Sequence, residues 1–315
     1  MIAFIFPGQG SQTVGMGKVL AQQFPECREV FEEADAALGE PLSRLIFEGP
    51  AEALMLTENT QPAILTTSIA ACRALASQGI EPDMVAGHSL GEYSAHVAAG
   101  TFDFADAVRI VRNRGRYMQE AVPFGTGAMA AILGLDAETV EQACSEVAEG
   151  EVVSPANLNA PGQVVIAGAA SAVERAADRV KALGAKRVIA LKVSAPFHCA
   201  LMKPAEARLA PELRALRADS PRVPVVANVD AEPKTDLQSA LDALVAQVSA
   251  PVRWEAVMRR LARDGATVFI EVGPGSVLSG LGRKVLPEAT FARIDSPEHL
   301  EDIVALVAAQ RGVQS

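Results

Sequence analysis

The run Gly87-His88-Ser89-Leu90-Gly91 fits G-x-S-x-G. An apolar stretch, Pro82 to Ala86, precedes it and reads as a buried strand; the Ala-rich stretch from Glu92 to Ala99 follows and reads as a helix. The pattern alone occurs by chance. Between a strand and a helix it describes a nucleophile elbow, in which the serine occupies a tight, strained turn at a helix N-terminus. The two glycines are needed because a side chain at either position would clash. Ser89 Oγ would be exposed, and the backbone N–H of Leu90 would point where an oxyanion forms. The chemistry implied is acyl transfer through a covalent acyl-serine.

Such a serine needs a base, and the chain has four histidines: His88, His96, His198 and His299. His88 lies inside the elbow, with its side chain expected to point away from Ser89. His96 falls two turns along the following helix, on its surface or packed, and is assigned no role. His299 belongs to a polar C-terminal segment. His198, after Ala195-Pro196-Phe197, sits in a constrained loop and is the candidate base by elimination; a histidine merely satisfied within its loop is the competing reading. The order Ser89 then His198 is that of α/β-hydrolases. No convincing acidic partner lies between them, since Asp136, Glu174 and Asp178 fall on other predicted helices. A backbone carbonyl could accept the Nδ1–H bond instead.

Arg112 and Arg114, in Val111-Arg112-Asn113-Arg114-Gly115-Arg116, could grip a carboxylate through two parallel hydrogen bonds. A solvated basic helix face explains the same residues. Three other motifs fail. Gly8-Gln9-Gly10 lacks the third glycine of a dinucleotide fingerprint, Gly17-Lys18 lacks the rest of a P-loop, and His198-Cys199 has no further ligands at zinc spacing.

The elements that must position these residues alternate between strand and helix. Ile2 to Phe6 reads as a strand closed by Pro7-Gly8, Val14 to Phe24 as a helix, and Thr60-Gln61-Pro62 as the opening of a helix through Ala76, with Pro62 near its first turn. Phe104 to Val122 is helical. Between Gly127 and Leu191 the order is β-α-β-β-α-β, a ferredoxin-like unit. Beyond it come helices over Pro204 to Leu216, Leu237 to Val248 and Trp254 to Arg263, and strands over Val223 to Ala227 and Val268 to Val272. This alternation predicts a mostly parallel sheet, with ligands bound beyond the carboxyl ends of its strands. The expected division is a catalytic domain of residues 1–125 and 192–315 with an inserted subdomain of residues 126–191.

Composition sets the frame. Of 315 residues, 50% are hydrophobic and 21% charged, which suits a globular protein with a large core. The formal net charge of −10 disfavours nonspecific nucleic-acid binding. Cys27, Cys72, Cys144 and Cys199 are scattered and read as reduced thiols of a cytoplasmic protein. The N-terminus lacks a signal-peptide pattern, and no apolar run is long enough to span a membrane.

With these residues in place, the chain resembles the malonyl-CoA:acyl carrier protein transacylase family. The resemblance rests on FPGQGSQTVGMG (Phe6 to Gly17), NTQPAI (Asn59 to Ile64), GHSLGEYSA (Gly87 to Ala95), RGRYMQEAVPFGTGAMAAILG (Arg114 to Gly134), NLNAPGQVVIAG (Asn157 to Gly168), APFHCALM (Ala195 to Met202), PVRW (Pro251 to Trp254) and EVGPGSVLSGL (Glu271 to Leu281), in family order across nearly the whole chain. It implies an α/β-hydrolase-like large domain carrying a ferredoxin-like insertion. It implies Ser89 as the acylated nucleophile and His198 as base then acid, oriented by the backbone carbonyl of Gln247. The N–H groups of Gln9 and Leu90 would form the oxyanion hole, and Arg114, rather than Arg112, would pair with the malonyl carboxylate. Leu90 and Phe197 look like the malonyl-selective forms of related polyketide synthase domains.

The implied reaction is ping-pong transfer of malonyl from malonyl-CoA to the phosphopantetheine thiol of acyl carrier protein, for fatty-acid or polyketide synthesis, with no metal or redox cofactor. A monomer is the family expectation. Carrier proteins are typically acidic, so a basic patch is expected near the cleft; Lys186 and Arg187, with Lys192 close behind, are the candidates, although solvated strand-end charges would look the same. The alternative activity is a serine thioesterase or hydrolase using the same elbow.

Overall fold

The computed structural model describes residues 1–123, 125–191 and 193–313. Six strands form one sheet: β1 (Ile2–Phe6), β2 (Met84–Gly87), β7 (Val225–Val226), β8 (Pro233–Lys234), β9 (Val268–Val272) and β10 (Thr290–Ile294), in the order β10-β9-β1-β2-β7-β8. All neighbours are parallel except β7 and β8. The period-2 geometry of a strand explains why β1 is apolar throughout. Phe4 and Phe6 enter the core on one face of the sheet, and Ala3 and Ile5 the core on the other.

The first face is covered by α1 (Lys18–Gln23), α2 (Pro25–Leu38), α3 (Leu42–Glu48), α4 (Ala51–Leu54), α5 (Thr57–Ser77), α6 (Gly91–Ala98) and α7 (Phe104–Glu120). Helix α5 is buried on nearly every side from Thr60 to Ala71, which is why its sequence lacks a polar face. A second sheet, β4-β5-β3-β6, is antiparallel and built from β3 (Gly127–Leu133), β4 (Val153–Ala160), β5 (Gln163–Ala169) and β6 (Arg187–Ala190), with α8 (Ala137–Val147) and α9 (Ala170–Ala182) on one face. This is the expected α/β architecture with a ferredoxin-like unit. The chain continues through α10 (Lys203–Ala215), α11 (Leu237–Gln247), α12 (Trp254–Arg263), α13 (Val277–Val285) and α14 (Pro297–Val313).

The two sheets are joined by main chain. Leu158 N donates to Val252 O at 2.8 Å, and Val252 N donates to Ala156 O at 2.9 Å, so residue 252 pairs with β4 as a one-residue strand. Met129, Ala156, Val165 and Ala167 of the small sheet also share one buried core with α5, α7 and β1.

Several expected boundaries move. The helix expected from Val14 starts only at Lys18, because Gly15 N donates to Ile46 O at 2.8 Å and ties the preceding turn to α3. Helix α5 starts three residues before Thr60, where Leu56 O accepts from both Asn59 N and Thr60 N, so Pro62 lies inside the helix rather than in its first turn. The strand expected over Val223 to Ala227 shrinks to two residues. His299 sits on α14, where its Nδ1 is 2.7 Å from Asp295 Oδ1.

Candidate active site

Strand β2 ends at Gly87 and α6 begins at Gly91, leaving three residues for the turn. Ser89 occupies it with φ 53°, a left-handed backbone that costs a non-glycine residue about 1–3 kcal/mol. The flanking glycines are dictated by close approach. A Cβ on Gly87 would lie 1.9 Å from Gly91 O, and one on Gly91 would lie 2.0 Å from Phe6 O. Asn228, just after β7, braces the turn: its Oδ1 accepts from Ser89 N at 2.7 Å and its Nδ2 donates to Gly87 O at 2.7 Å.

His198 Nε2 lies 2.6 Å from Ser89 Oγ, and His198 Nδ1 lies 3.0 Å from the backbone oxygen of Gln247. With Nδ1 as the donor to that carbonyl, Nε2 is left unprotonated and facing the serine. His198 has φ 59° and is buried. Burial pushes its pKa down to about 3, and the nearby Arg114 cation pushes the same way. The free imidazole is therefore neutral at neutral pH and able to accept a proton.

Arg114, on α7, is 1% exposed. Its Nη1 donates to Gln61 Oε1 at 2.8 Å, and its Nη2 donates to Gln247 Oε1 at 2.9 Å and to Ser89 Oγ at 3.2 Å. The Tyr93 ring packs 5.3 Å from the guanidinium carbon. These neutral partners fix the guanidinium beside the serine, and Nε has no hydrogen-bond partner among the described residues. Arg112 points elsewhere, into an ion pair with Glu40.

Gln9, Leu90, Met118, Met129 and Phe197 help line a cavity of about 130 Å³ around Ser89, His198 and Arg114. The Gln9 side chain donates to Thr57 Oγ1 at 3.3 Å, and that hydroxyl lies 2.9 Å from Ser194 Oγ, linking the start of α5 to the segment that carries His198. Lys186 and Arg187 stand apart from the cavity, exposed at the start of β6, the strand that leads to the cavity residue Leu191. Lys192 lies outside the described residues.

The remaining histidines have other surroundings. His88 Nε2 lies 2.9 Å from Asn159 Oδ1, so it faces the small sheet. His96 is fully buried against Phe102, with Nδ1 3.1 Å from Thr101 Oγ1; burial pushes its pKa down to about 3. The Cys199 thiol is buried and pushed up to about 11, which makes it a poor nucleophile. Among the described residues, no group of three or more His, Cys, Asp or Glu could hold a metal ion, and no helix is long and apolar enough to cross a membrane.

Three residues at the site escape the sequence reading. Gln61 and Asn228 are amides with no titration to mark them, and the NTQPAI stretch that contains Gln61 carries the resemblance without assigning it a role. Glu92 is an acid between Ser89 and His198 in the sequence. Its role comes from contacts with Asn228 and Gln247, far along the chain, so local spacing gives no signal for it.

Residues 3–301 match the family described as acyl transferase domain. The chain is 54% identical over 296 residues to the malonyl CoA-acyl carrier protein transacylase of Escherichia coli (strain K12), covering 94% of this chain and 96% of the relative. Among solved structures it is similar to an acyl carrier protein S-malonyltransferase from Vibrio cholerae O1 biovar eltor, with TM-score 0.94 and 47% identity over 96% of this chain and 99% of that one. It matches equally, with TM-score 0.94 and 47% identity over the same shares, a malonyl-transacylase solved in complex with its type II PKS acyl-carrier protein.

Proposed function

The chain belongs to the acyl transferase family, and from that premise we propose that it moves a malonyl group from malonyl-CoA to the phosphopantetheine thiol of an acyl carrier protein. The observation that carries the substrate choice is the buried Arg114 fork beside Ser89 Oγ. A carboxylated acyl group can satisfy that cation, and an acetyl group cannot.

In this reading the malonyl carboxylate takes the Arg114 fork and its thioester carbon meets Ser89. His198 Nε2 accepts the serine proton as the C–O bond forms. The N–H groups of Gln9 and Leu90 hold the tetrahedral oxyanion, where losing one donor typically costs about 2.7–4 kcal/mol. The C–S bond then breaks, and His198 returns its proton to the departing CoA sulfur. The carrier thiol repeats the steps in reverse, giving ping-pong kinetics. Both ends are thioesters, so the reaction is near-balanced. Each proton passes through His198, and the cycle needs no metal or redox cofactor. Phe197 and Leu90 bound the acyl space and favour malonyl over branched groups. The cytoplasm is the compartment we assign.

The hydrolase alternative is less favoured, because the site orients His198 with a carbonyl rather than a carboxylate and the relatives named above are transferases. The test is mass spectrometry after incubation with malonyl-CoA. A malonyl adduct on Ser89 that a carrier thiol then clears is expected. An unmodified Ser89 in active enzyme refutes the proposal.

A further inference from the structure

Glu92 is a buried acid that the transfer steps leave unused. It is 0% exposed and sits on the first turn of α6. Its Oε2 accepts from Asn228 N at 3.0 Å and from Gln247 Nε2 at 2.9 Å, while its Oε1 has no hydrogen-bond partner among the described residues. An acid held this way is expensive to bury.

Its position explains the orientation of Gln247. That side-chain amide could sit either way round. Its nitrogen faces three acceptors: Glu92 Oε2, Ser89 O at 2.8 Å and Asn228 Oδ1 at 3.5 Å. A flipped amide would set oxygen against all three and present an NH₂ group to the guanidinium. Burial raises the Glu92 pKa to about 7, and Oε2 can accept from the Gln247 amide in either protonation state while Asn228 N holds it in place. The amide oxygen is thereby turned to Arg114 Nη2 at 2.9 Å. The same residue supplies, through its backbone oxygen, the acceptor for His198. Gln247 thus serves the base with its main chain and the arginine with its side chain.

We propose that Glu92 is a positioning residue for Arg114: acting through the side-chain amide of Gln247, it fixes the guanidinium and so sets the preference for a carboxylated acyl group. The inference rests on the reading of Arg114 as the carboxylate partner.

The experiment compares malonyl-CoA and acetyl-CoA as donors to a holo acyl carrier protein. Gln247→Met removes the relay and keeps the backbone carbonyl. Glu92→Met removes the acceptor, and Glu92→Gln keeps it. Both Met variants should lower the malonyl-to-acetyl ratio of kcat/KM by about tenfold or more, chiefly through the KM for malonyl-CoA. In Glu92→Met, where the replaced side chain touches neither Ser89 nor His198, acetyl transfer and the pH profile of kcat should change far less than malonyl transfer. Gln247→Met also loses the Nε2 bond to Ser89 O and is read only for its malonyl-to-acetyl ratio. Glu92→Gln should keep the ratio near its wild-type value. Equal losses for both donors in Glu92→Met, or a Glu92→Gln variant as unselective as Glu92→Met, would overturn the inference. Arg114→Ala separates the two layers. If it keeps the malonyl preference, the reading of Arg114 fails; if it loses the preference while the Met variants keep theirs, the relay alone fails.

Discussion

Arg114 Nη2 and His198 Nε2 converge on one atom, Ser89 Oγ, at 3.2 and 2.6 Å. The cation proposed to read the acyl chain and the proposed general base are therefore in electrostatic contact. Arg114→Ala should lower kcat/KM for malonyl-CoA by about a hundredfold or more, since a fully desolvated charge pair is lost, while acetyl transfer changes far less. Steady-state kinetics with both donors check this, and parallel losses would contradict it.

The same contact fixes the sign of a pH effect. Burial and the Arg114 cation both depress His198, to about 3. The free enzyme's kcat/KM should hold as pH falls through 6.5, where an exposed histidine would be half protonated, and fail only near the lower value. Removing the cation with Arg114→Ala should move this acid limb upward when acetyl-CoA is the donor.

Asn228 braces the strained elbow with one side chain. Asn228→Ala leaves Ser89 N and Gly87 O without that partner, and should cost about 1–3 kcal/mol of stability. It should also lower kcat more than it changes KM, because the nucleophile loses its placement. Denaturant titration and kinetics on the same preparation test both parts.

His96 offers a stability test away from the chemistry. Its pKa lies at about 3 in the fold and near 6.5 when unfolded. Between those values the unfolded chain binds the extra proton, so stability falls as pH drops, by about 1.4 kcal/mol per pH unit for one such group. His198 contributes in the same sense. His96→Leu should flatten the stability curve from pH 6.5 downward, measured by denaturant unfolding at several pH values. An unchanged slope would place the acid sensitivity elsewhere.

Lys186 and Arg187 are exposed at the head of the strand that leads to the cavity. Reversing both to Glu should raise the KM for an acidic carrier protein severalfold while leaving the first half-reaction with malonyl-CoA intact. The rise should shrink with added salt. An unchanged carrier KM would reject the docking role.

The sequence carries the strand-turn-helix of the elbow because its glycines are sterically obligatory, and it carries the second sheet because alternation and turn spacing are local. It carries less where tertiary contacts decide. The strand near Val225 is short because it pairs with β2 at only two positions, and Pro62 is tolerated inside α5 because surrounding packing holds that helix. At the site, Ser89, His198 and both arginines are visible as residue types. Glu92, Gln61 and Asn228 act through hydrogen bonds to residues 53 to 155 positions away, which no local pattern encodes.

Residue 252 bonds in-chain to β4 of the second sheet, and one buried core runs beneath both sheets. The small sheet cannot then melt as an independent unit. Calorimetry should give a single cooperative transition whose van't Hoff and calorimetric enthalpies agree. Proteolysis of the native protein should release no folded fragment corresponding to residues 126–191. Heat resistance engineered into either sheet would accordingly be shared by the other.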